Sequence, residues 1–584
     1  MRYLLVATDY DGTLAKDGRV DKPTLAALER LRATGRRLVL VTGRELPELL
    51  EIFPQIHLFD LVVAENGALL YRPETKEERV LHEPPPAKLV ETLRKRGVAP
   101  LSVGKVIIAG WKPHETTILE TIRDLALEMQ VIFNKDAVMV LPSGVNKATG
   151  LEKALTELEL SAHEVVGVGD AENDHAFLTM CACSAAVANA LQPLKDKADI
   201  VTRGDHGAGV AELIDMLVKD DLQEFAGKIT RHDVELGATA EQQMVSIKPF
   251  GSSVLIAGPS GSGKSTAATS ILERLGEQKF QYCIVDPEGD YENLEGALTI
   301  GTTERGPSVE EILQSLTNPT QNVVVNLLGL KLADRPPFFA KLLPHLLEMR
   351  SRVGRPHWIL LDEVHHLLPA QWKPGPDLLP RNLERLLMIT VHPEQIAADA
   401  LKNVDTVIVV GNTREETLAQ FAKAAGHKAP RLPKNMEPNK VVVWSVKQGI
   451  SAIDLKRSKI EHRRHSRKYA VGELPPEASF YFKGPEGKLN LRAQNLFLFL
   501  QIGEGIDDET WLYHLRAGDY SSWFSEFLKD DVLAKEAATV EEDQALDANE
   551  SRQRLREFIE KHYTWPAAPP PPLPIPGTAA APVH

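Results

Sequence analysis

Two stretches of this sequence alternate short apolar runs with longer amphipathic segments, and this alternation constrains the fold more than any other feature. The first stretch covers residues 1–220 and contains runs such as YLLVATD, RRLVLVTG and EVVGVGD. The second covers residues 251–450 and contains SVLIAG, YCIVD, WILLDE and TVIVVG. Strands that alternate with helices form mostly parallel sheets. The sequence therefore predicts two α/β domains, each built on such a sheet.

The rest of the chain divides by composition into four segments. Residues 221–250 are expected to connect the two α/β domains, and residues 451–469, which contain KRSKIEHRRHSRK, to form an exposed basic linker. Residues 470–563 have a mostly helical pattern, so we expect a mainly helical C-terminal module without assigned chemistry. Residues 564–584 are rich in proline, which predicts a disordered tail of polyproline character.

Charge and cysteine content limit the class of protein. The 584 residues carry a formal charge of −14, which opposes a general role in coating nucleic acid. The three cysteines are too few for a disulfide framework, and we expect them to be buried apolar residues. The N-terminus lacks a basic signal-peptide segment, and no apolar run reaches the ~18 residues of a membrane span. We expect no membrane association and a reducing, cytoplasmic location.

Polar residues follow successive apolar runs in the first domain. In chain order they are Asp9, Asp11, Thr42, Gly43, Lys147, Asp170, Asn173 and Asp174. The carboxyl ends of parallel strands meet at one edge of a sheet, so we expect these residues to converge. A turn or a helix cap is the alternative explanation for the pair Asp9 and Asp11, but it does not explain the ordered set.

The residue types in this set suit the hydrolysis of a phosphate ester. One carboxylate can attack phosphorus to give an acyl phosphate, and a second can protonate the leaving oxygen and then activate water. Further carboxylates can hold Mg²⁺, which offsets repulsion between the nucleophile and the anionic substrate. A lysine and a hydroxyl can bind the phosphoryl oxygens as charge moves.

The motifs DYDGT, VTGR and GDAEND, with Lys147 between the last two, closely resemble those of the haloacid dehalogenase (HAD) superfamily of phosphatases, in its Cof-like, type IIB branch. The resemblance covers about residues 1–218 and implies a doubly wound, Rossmann-like fold. It implies that Asp9 is the nucleophile and Asp11 the general acid/base. It also implies a Mg²⁺ site and a phosphate site. The implied metal ligands are Asp9, the backbone carbonyl of Asp11, Asp170 and, in support, Asp174; the implied phosphate ligands are Thr42, Gly43, Lys147 and Asn173.

This branch inserts a cap between the second and third motifs, here about residues 68–143. The cap is short for the branch, which leaves an open site compatible with phosphoglycolate or a sugar phosphate. No sequence motif supports a role in substrate specificity for the polar residues of the cap, and we expect each to be a solvated surface residue. They are Lys105, Lys112, His114 and Asn134.

The second domain contains GPSGSGKST directly after the apolar run SVLIA and before a helical segment. This is the context of a P-loop, whose backbone N–H groups and helix N-terminus bind phosphate. The predicted ATP-binding residues are Gly258, Pro259, Ser260, Gly261, Ser262, Gly263, Lys264, Ser265 and Thr266. We expect Lys264 to reach the terminal phosphates and Ser265 to hold Mg²⁺. The run WILLDE supplies Asp362 for the Mg²⁺ shell and Glu363 to polarise the attacking water.

The run LLMITVH places Thr390 and His392 at a further strand end, where they could sense the γ-phosphate or serve a structural role. With VDPEGDY, these features resemble the HerA/FtsK-like ATPases over about residues 232–430. The resemblance implies a RecA-like fold, binding of ATP and Mg²⁺, and a homo-oligomer such as the hexameric rings of that family. The chain lacks an obvious N-terminal β-barrel clamp, which puts translocation of DNA in doubt.

Two interpretations of the whole chain remain open. In the first, a Mg²⁺-dependent phosphomonoester hydrolase forms an aspartyl-phosphate intermediate with a small phosphorylated metabolite and is coupled to an ATP-hydrolysing domain. In the second, the chain is a nucleic-acid-processing machine whose motor works with an end-trimming phosphatase; the basic linker favours it. A polynucleotide kinase/phosphatase is a variant of the second, and a non-catalytic scaffold is opposed by the intact carboxylates. The complete phosphatase motifs and the acidic charge favour the first.

Overall fold

The computed structural model describes most of the chain. The described residues are 1–134, 136–259, 262–292, 294–371, 383–432, 437, 440–456, 458, 474, 476–528 and 530–562. Ser260 and Gly261 of the P-loop, most of the basic linker and the proline-rich tail lie outside them. No helix within the described ranges is long and apolar enough to cross a membrane. The chain forms two compact units that divide between residues 459 and 460.

The first 220 residues form two sheets and the helices that connect their strands. The strands are β1 Leu5–Thr8, β2 Arg37–Val41, β3 Leu61–Ala64, β4 Leu69–Arg72, β5 Glu77–Val80, β6 Ser102–Val103, β7 Ile108–Trp111, β8 Met129–Asn134, β9 Ala137–Pro142, β10 Val165–Gly169, β11 Cys183–Ala186 and β12 Ile200–Val201. The helices are α1 Lys22–Ala33, α2 Leu46–Ile52, α3 Ala87–Lys95, α4 Glu115–Asp124, α5 Lys147–Glu157, α6 His175–Met180, α7 Gln192–Lys195 and α8 His206–Asp220.

The larger sheet has the order β12-β11-β10-β1-β2-β3-β4-β5. Strands β12 to β3 are parallel, whereas β4 and β5 add an antiparallel edge. The central strands β1 and β10 are buried along their whole length, which explains their unbroken apolar sequences. Because β1, β2 and β10 run in the same direction, the residues that follow them lie at one edge of the sheet. The predicted α/β architecture is confirmed.

The smaller sheet belongs to the inserted cap and has the antiparallel order β6-β7-β9-β8. Leu89 of α3 and Ile118 of α4 pack in one apolar cluster with side chains of this sheet. Met139 and Leu141 of β9 join a second cluster with Ala68. Strands β4 and β5 fall inside the range 68–143 assigned to the cap but extend the larger sheet, so the separate cap sheet starts at β6.

The second α/β domain is built on one sheet with antiparallel strands at one side and parallel strands from there to the opposite edge. Its strands are β13 Val234–Ala238, β14 Met244–Ile247, β15 Val254–Ala257, β16 Tyr282–Asp286, β17 Ala297–Ile300, β18 Asn322–Asn326, β19 Trp358–Leu361, β20 Leu386–Thr390, β21 Thr406–Val409, β22 Val441–Ser445 and β23 Gly449–Leu455. Its helices are α9 Lys264–Glu277, α10 Val309–Leu316, α11 Arg335–Val353, α12 Ala398–Leu401 and α13 Arg414–Ala425.

Among the described residues the order of this sheet is β14-β13-β23-β22-β21-β15-β20-β19-β16-β18-β17. The strands from β21 to β17 are parallel, so the ends of β15, β16, β19 and β20 lie at the same edge. Strands β13 and β14 come from the stretch 221–250, which the sequence suggested to be a connector, and they pair within this sheet.

The C-terminal unit is mainly helical, as predicted. It contains β24 Phe480–Phe482, β25 Leu491–Ala493, α14 Leu496–Gly505, α15 Asp508–Ala517, α16 Asp519–Glu526, α17 Asp531–Glu542 and α18 Ala548–His562. Its core is aromatic and includes Trp511, Trp523 and Phe524, each at most 3% exposed. These aromatic residues therefore stabilise the unit.

A buried polar joint connects the two α/β domains. Glu164 Oε1 lies 2.8 Å from His357 Nε2, and Arg355 Nη2 donates to the carbonyl of Glu159 at 2.7 Å. Glu164, His357 and Arg355 are at most 1% exposed. A Cβ on Gly354 would lie 2.3 Å from Cγ of Glu164, so the close approach requires glycine there. Apolar residues of both domains belong to one continuous core.

Candidate active sites

Three carboxylates and one lysine meet at the edge of the larger sheet in the first domain. Asp9 follows β1, Asp170 follows β10, and Asp174 lies in the turn after it. One oxygen from each carboxylate lies within 4.8 Å of the others. Lys147, the first residue of α5, donates through Nζ to Oδ1 of Asp9 and to Oδ1 of Asp174, both at 2.6 Å. All four side chains belong to residues that are at most 4% exposed.

The residues around Asp170 fix this cluster. Thr13 donates through Oγ1 to Oδ1 of Asp170 at 2.9 Å. Asp174 Oδ2 accepts the backbone N–H groups of Asp170 and Ala171 at 2.8 and 2.9 Å. Gly12 has φ +85°, and a Cβ there would lie 2.3 Å from Oδ2 of Asp170. The Gly-Thr pair after DYD therefore lets the first strand end approach the fourth motif.

The cluster carries more negative than positive charge. Burial and the charge of Asp174 raise the pKa of the Asp9 carboxyl, and Lys147 opposes this shift. Burial alone would lower the pKa of Lys147, but Asp174 and Asp9 outweigh it and the pKa is raised. One ammonium group thus faces three buried carboxylates. The remaining charge and the oxygen donors fit a divalent cation such as Mg²⁺.

Asp11 lies outside this cluster and pairs with Arg44. The guanidinium donates through Nε and Nη2 to the two carboxylate oxygens, each at 2.7 Å, and also pairs with Glu48. Thr42 is buried, and its Oγ1 accepts the backbone N–H of Arg44 at 3.1 Å. Arg44 is the last residue of the motif VTGR, but that motif predicts no role for it. A single arginine after a strand is usually a surface residue, so the pattern alone did not single it out.

The cap approaches the predicted phosphate-binding residues through an apolar side chain. A Cβ on Gly43 would lie 3.3 Å from Cε of Met139, which belongs to β9. Asn173 donates through Nδ2 to Oδ1 of Asn66 at 3.4 Å, and the same Nδ2 would lie 3.9 Å from that Gly43 Cβ. Gly43 and Asn173, from the second and fourth motifs, are thus neighbours beneath Met139.

Three of the four polar cap residues named from sequence have partners at the surface, and the side chain of Asn134 lies outside the described part of the chain. Lys105 pairs with Glu78, and Lys112 Nζ lies 3.6 Å from Oδ1 of Asp136. His114 Nε2 lies 3.1 Å from the carbonyl oxygen of Ala99. These interactions agree with the expectation of solvated surface residues.

The predicted P-loop connects β15 to α9. A Cβ on Gly258 would lie 2.3 Å from the carbonyl oxygen of Val410, and Gly263 has φ +95° directly before the helix. Lys264 is the first residue of α9, followed there by Ser265 and Thr266. Lys264 donates through Nζ to the carbonyl of Pro259 at 2.9 Å. The lysine therefore contacts its own loop in this state.

Acidic residues follow two neighbouring strands of the same sheet. Asp362 and Glu363 follow β19, and Asp286 ends β16. Burial and then the charge of Asp286 raise the pKa of Asp362 well above its usual value. Asp286 is itself fully buried and accepts three backbone N–H groups from residues 288–291. The accumulated negative charge fits a Mg²⁺ ion beside a nucleotide.

Thr390, at the end of β20, lies close to the acidic pair through a histidine. His365 Nδ1 lies 3.3 Å from Oγ1 of Thr390 and 3.4 Å from Oε2 of Glu363. Burial lowers the pKa of His365 to about 4, so this ring is neutral near pH ~7. His392 is half exposed and lies 3.3 Å from Glu394. His365, two residues after Glu363, is not predictable from sequence, because a histidine after an acidic pair has no fixed meaning.

Two protein families match separate parts of the chain. The model of the haloacid dehalogenase-like hydrolases matches residues 6–104 and 87–214. The model of the helicase HerA central domain matches residues 234–337.

Curated relatives and solved structures match the first of these regions. A phosphoglycolate phosphatase of Methanothermobacter thermautotrophicus is 31% identical over 217 residues, or 36% of this chain and 96% of that relative. A phosphoglycolate phosphatase of Haloarcula marismortui is 32% identical over 215 residues, or 35% of this chain and 93% of that relative. A solved haloacid dehalogenase-like hydrolase from Bacteroides thetaiotaomicron is 20% identical over 37% of this chain and 99% of its own, with a TM-score of 0.33.

Proposed function

Because the chain belongs to the haloacid dehalogenase-like hydrolases and carries a HerA central domain behind its hydrolase domain, we propose that it is a Mg²⁺-dependent phosphomonoester hydrolase coupled to an ATP-hydrolysing domain. The observation that carries the proposal is the buried group of Asp9, Asp170, Asp174 and Lys147. The names of the relatives favour phosphoglycolate as the first substrate to test, followed by sugar phosphates.

In the proposed reaction, an oxygen of Asp9 attacks phosphorus while the ester P–O bond breaks, and Asp11 gives a proton to the leaving oxygen. Water then attacks the acyl phosphate, Asp11 takes a proton from that water, and the bond between phosphorus and Asp9 breaks. Bound Mg²⁺ supplies positive charge that offsets repulsion between the carboxylates and the substrate. Arg44 holds Asp11 outside the cluster, so Asp11 has to leave this ion pair and take up a proton from solvent before it can protonate the leaving oxygen.

Thr42, Gly43, Lys147 and Asn173 are proposed to bind the phosphoryl oxygens. The proximity of Met139 to Gly43 supports a small substrate, because an apolar side chain offers no ionic partner to a polymeric anion. A small ester such as phosphoglycolate or a sugar phosphate suits this arrangement better than the end of a nucleic acid.

The test is phosphate release from phosphoglycolate, a panel of sugar phosphates and 3′-phosphorylated DNA, with and without Mg²⁺. We expect turnover of a small ester that requires Mg²⁺ and is lost in Asp9→Asn. Glu29→Gln, on an exposed position of α1, is the matched control and keeps wild-type activity. Turnover in Asp9→Asn equal to that of the wild type would exclude the aspartyl-phosphate intermediate.

For the second domain we propose ATP hydrolysis with Mg²⁺ held by Ser265 and Asp362, and with Glu363 polarising water. The buried joint between the α/β domains supports coupling, because movement at one of its sides displaces the other. The test is phosphatase turnover with and without ATP in the wild type and in Lys264→Ala. Equal rates in all four conditions would exclude regulation by ATP.

The HerA match also favours the second candidate function, a motor acting on nucleic acid as a ring-shaped homo-oligomer. Strong stimulation of ATP turnover by DNA, with phosphate released only from DNA ends, would establish this candidate over a metabolic phosphatase. Sedimentation with bound ATP measures the size of the assembly, and a strict monomer would exclude the ring.

A further inference from the structure

The segment Glu65–Gly67 follows β3 and contacts separate pieces of the first domain. Glu65 and Asn66 have φ of 49° and 56°, a left-handed conformation that is uncommon outside glycine. The N–H of Glu65 donates to the carbonyl of Arg44, and the N–H of Asn66 donates to the carbonyl of Thr42, both at 3.0 Å. The segment is therefore hydrogen-bonded to the turn that carries the side chains of Thr42 and Arg44. Its left-handed conformation sets the direction of these hydrogen bonds.

The side chain of Glu65 reaches in the opposite direction, into the cap. Its Oε1 accepts the backbone N–H of Lys105 at 2.9 Å, and its Oε2 accepts those of Val106 and Ile107 at 2.8 and 3.1 Å. The residue is fully buried. A Cβ on Gly104 would lie 2.9 Å from the carboxylate, so the cap loop closes tightly around it. Hydrogen bonds to an ionised acceptor are stronger than neutral ones.

The same segment also contacts the helix that carries the predicted lysine. A Cβ on Gly67 would lie 2.0 Å from the carbonyl oxygen of Asn146, so the two backbones touch here. Asn146 caps α5 by accepting the N–H groups of Ala148 and Thr149 at 2.9 and 3.1 Å. The segment Glu65–Gly67 therefore packs against the backbone of the residue before Lys147 and positions this lysine.

The position of the cap relative to this segment bears on access to the acidic cluster. Asp9, Asp170 and Asp174 are at most 4% exposed, so the cluster lies deep in the domain in this state. The chain enters the cap after β5 and leaves it at the end of β9. Glu65 adds a non-covalent attachment to these two covalent crossings, beside that of Ser102, whose Oγ donates to Oε1 of Glu45.

We propose that Glu65 is a positioning residue of the phosphatase: it attaches cap loop 104–107 to the turn carrying Thr42 and Arg44 and thereby sets the height of the cap above the bound phosphate ester. This inference rests on the proposed phosphatase function. It goes further by assigning to one buried carboxylate the closure of the cap on the substrate.

The test compares Glu65→Gln with Glu78→Gln in the full-length protein with Mg²⁺. Both variants remove one carboxylate that binds cap loop 104–107. Glu78 contacts the exposed side chain of Lys105, whereas Glu65 accepts the backbone N–H of Lys105. Glutamine keeps the size of Glu65, but its NH₂ group meets a backbone N–H and cannot accept it. Glu65→Asp keeps the charge with a shorter reach and serves as the second variant.

Two readouts are measured: KM and kcat for phosphoglycolate, and hydrogen exchange of the amides at 105–107. In Glu65→Gln we expect KM to rise about tenfold while kcat changes less than about threefold, because the loss of one charge-assisted hydrogen bond weakens the closed state. Exchange at 105–107 should accelerate by about the same factor. Glu78→Gln should match the wild type in both, and Glu65→Asp should lie between.

Unchanged KM and exchange in Glu65→Gln would overturn the inference. So would an equal fall in kcat in both glutamine variants, since that indicates a general loss of folding. If Glu65→Gln does not fold, the same two measurements on Glu65→Asp decide the question. If the wild type hydrolyses no ester, the proposed function fails, whereas the exchange measurement still tests the attachment of the cap loop.

Discussion

The two candidate catalytic centres place a lysine at the same point of a helix but give it different partners. Lys147 begins α5 and bridges Asp9 and Asp174, two carboxylates that are distant in sequence. Lys264 begins α9 and donates to the carbonyl of Pro259 in its own loop. The first lysine stabilises the fold before any ligand arrives. The second holds a local contact that the phosphates of a nucleotide would replace.

The largest effect on stability is expected for Lys147→Met in the protein without ligands. Removing the lysine that pairs with the buried Asp9 and Asp174 should lower the free energy of unfolding by about 3–5 kcal/mol, as for one partner of a buried ion pair. Thermal unfolding of wild type and variant measures this loss. A midpoint unchanged from the wild type would mean that the carboxylates are held by other forces.

The joint between the two α/β domains should make the free energy of unfolding depend on pH. His163 also belongs to the joint, because its Nε2 lies 2.8 Å from the carbonyl oxygen of Gln278 in the other domain. Burial lowers the pKa of His163 and of His357, the latter against the opposing charge of Glu164. Below pH ~6.5 the unfolded chain then binds more protons than the folded one. The free energy of unfolding should therefore fall as pH decreases from about 6.5, by up to ~1.4 kcal/mol per pH unit for each histidine.

Thermal unfolding between pH ~8 and ~5 measures this slope. His163→Phe removes one of the two titrating groups while keeping a ring against Phe280, which stacks on His163 with centroids 3.7 Å apart. The slope should fall in this variant and stay unchanged in His345→Gln, which removes an exposed histidine of α11. The same slope in His163→Phe as in the wild type would exclude the joint as the source.

The smallest effect on the ligand-free protein is expected for Lys264→Met. It removes one hydrogen bond to a carbonyl, so the free energy of unfolding should change by about 0.5–1.5 kcal/mol. The wild type should gain ~2.7 kcal/mol from ATP and Mg²⁺ at a hundredfold excess over Kd, and the variant should lose most of this gain. Equal stabilisation by ATP in both proteins would contradict the nucleotide-binding role of Lys264.

Much of the fold could be predicted because its signals are local. The apolar runs at residues 3–8 and 165–169 became buried parallel strands, and the polar residues after them converged at one edge, as the period of a strand and the direction of a parallel sheet require. Gly258 and Gly263 of the predicted P-loop likewise precede a helix, as the motif demands. The three cysteines are buried, as their apolar surroundings suggested.

The sequence by itself determined the two α/β domains, the order of their motifs and the residues that could carry chemistry, because these depend on neighbours along the chain. Only the tertiary structure decided that Asp11 pairs with Arg44, that Glu65 binds the cap loop and that Glu164 meets His357. These partners are 33, 41 and 193 positions apart. No periodicity or motif encodes such pairs, because they form only when the packing of whole elements brings their side chains within hydrogen-bonding distance.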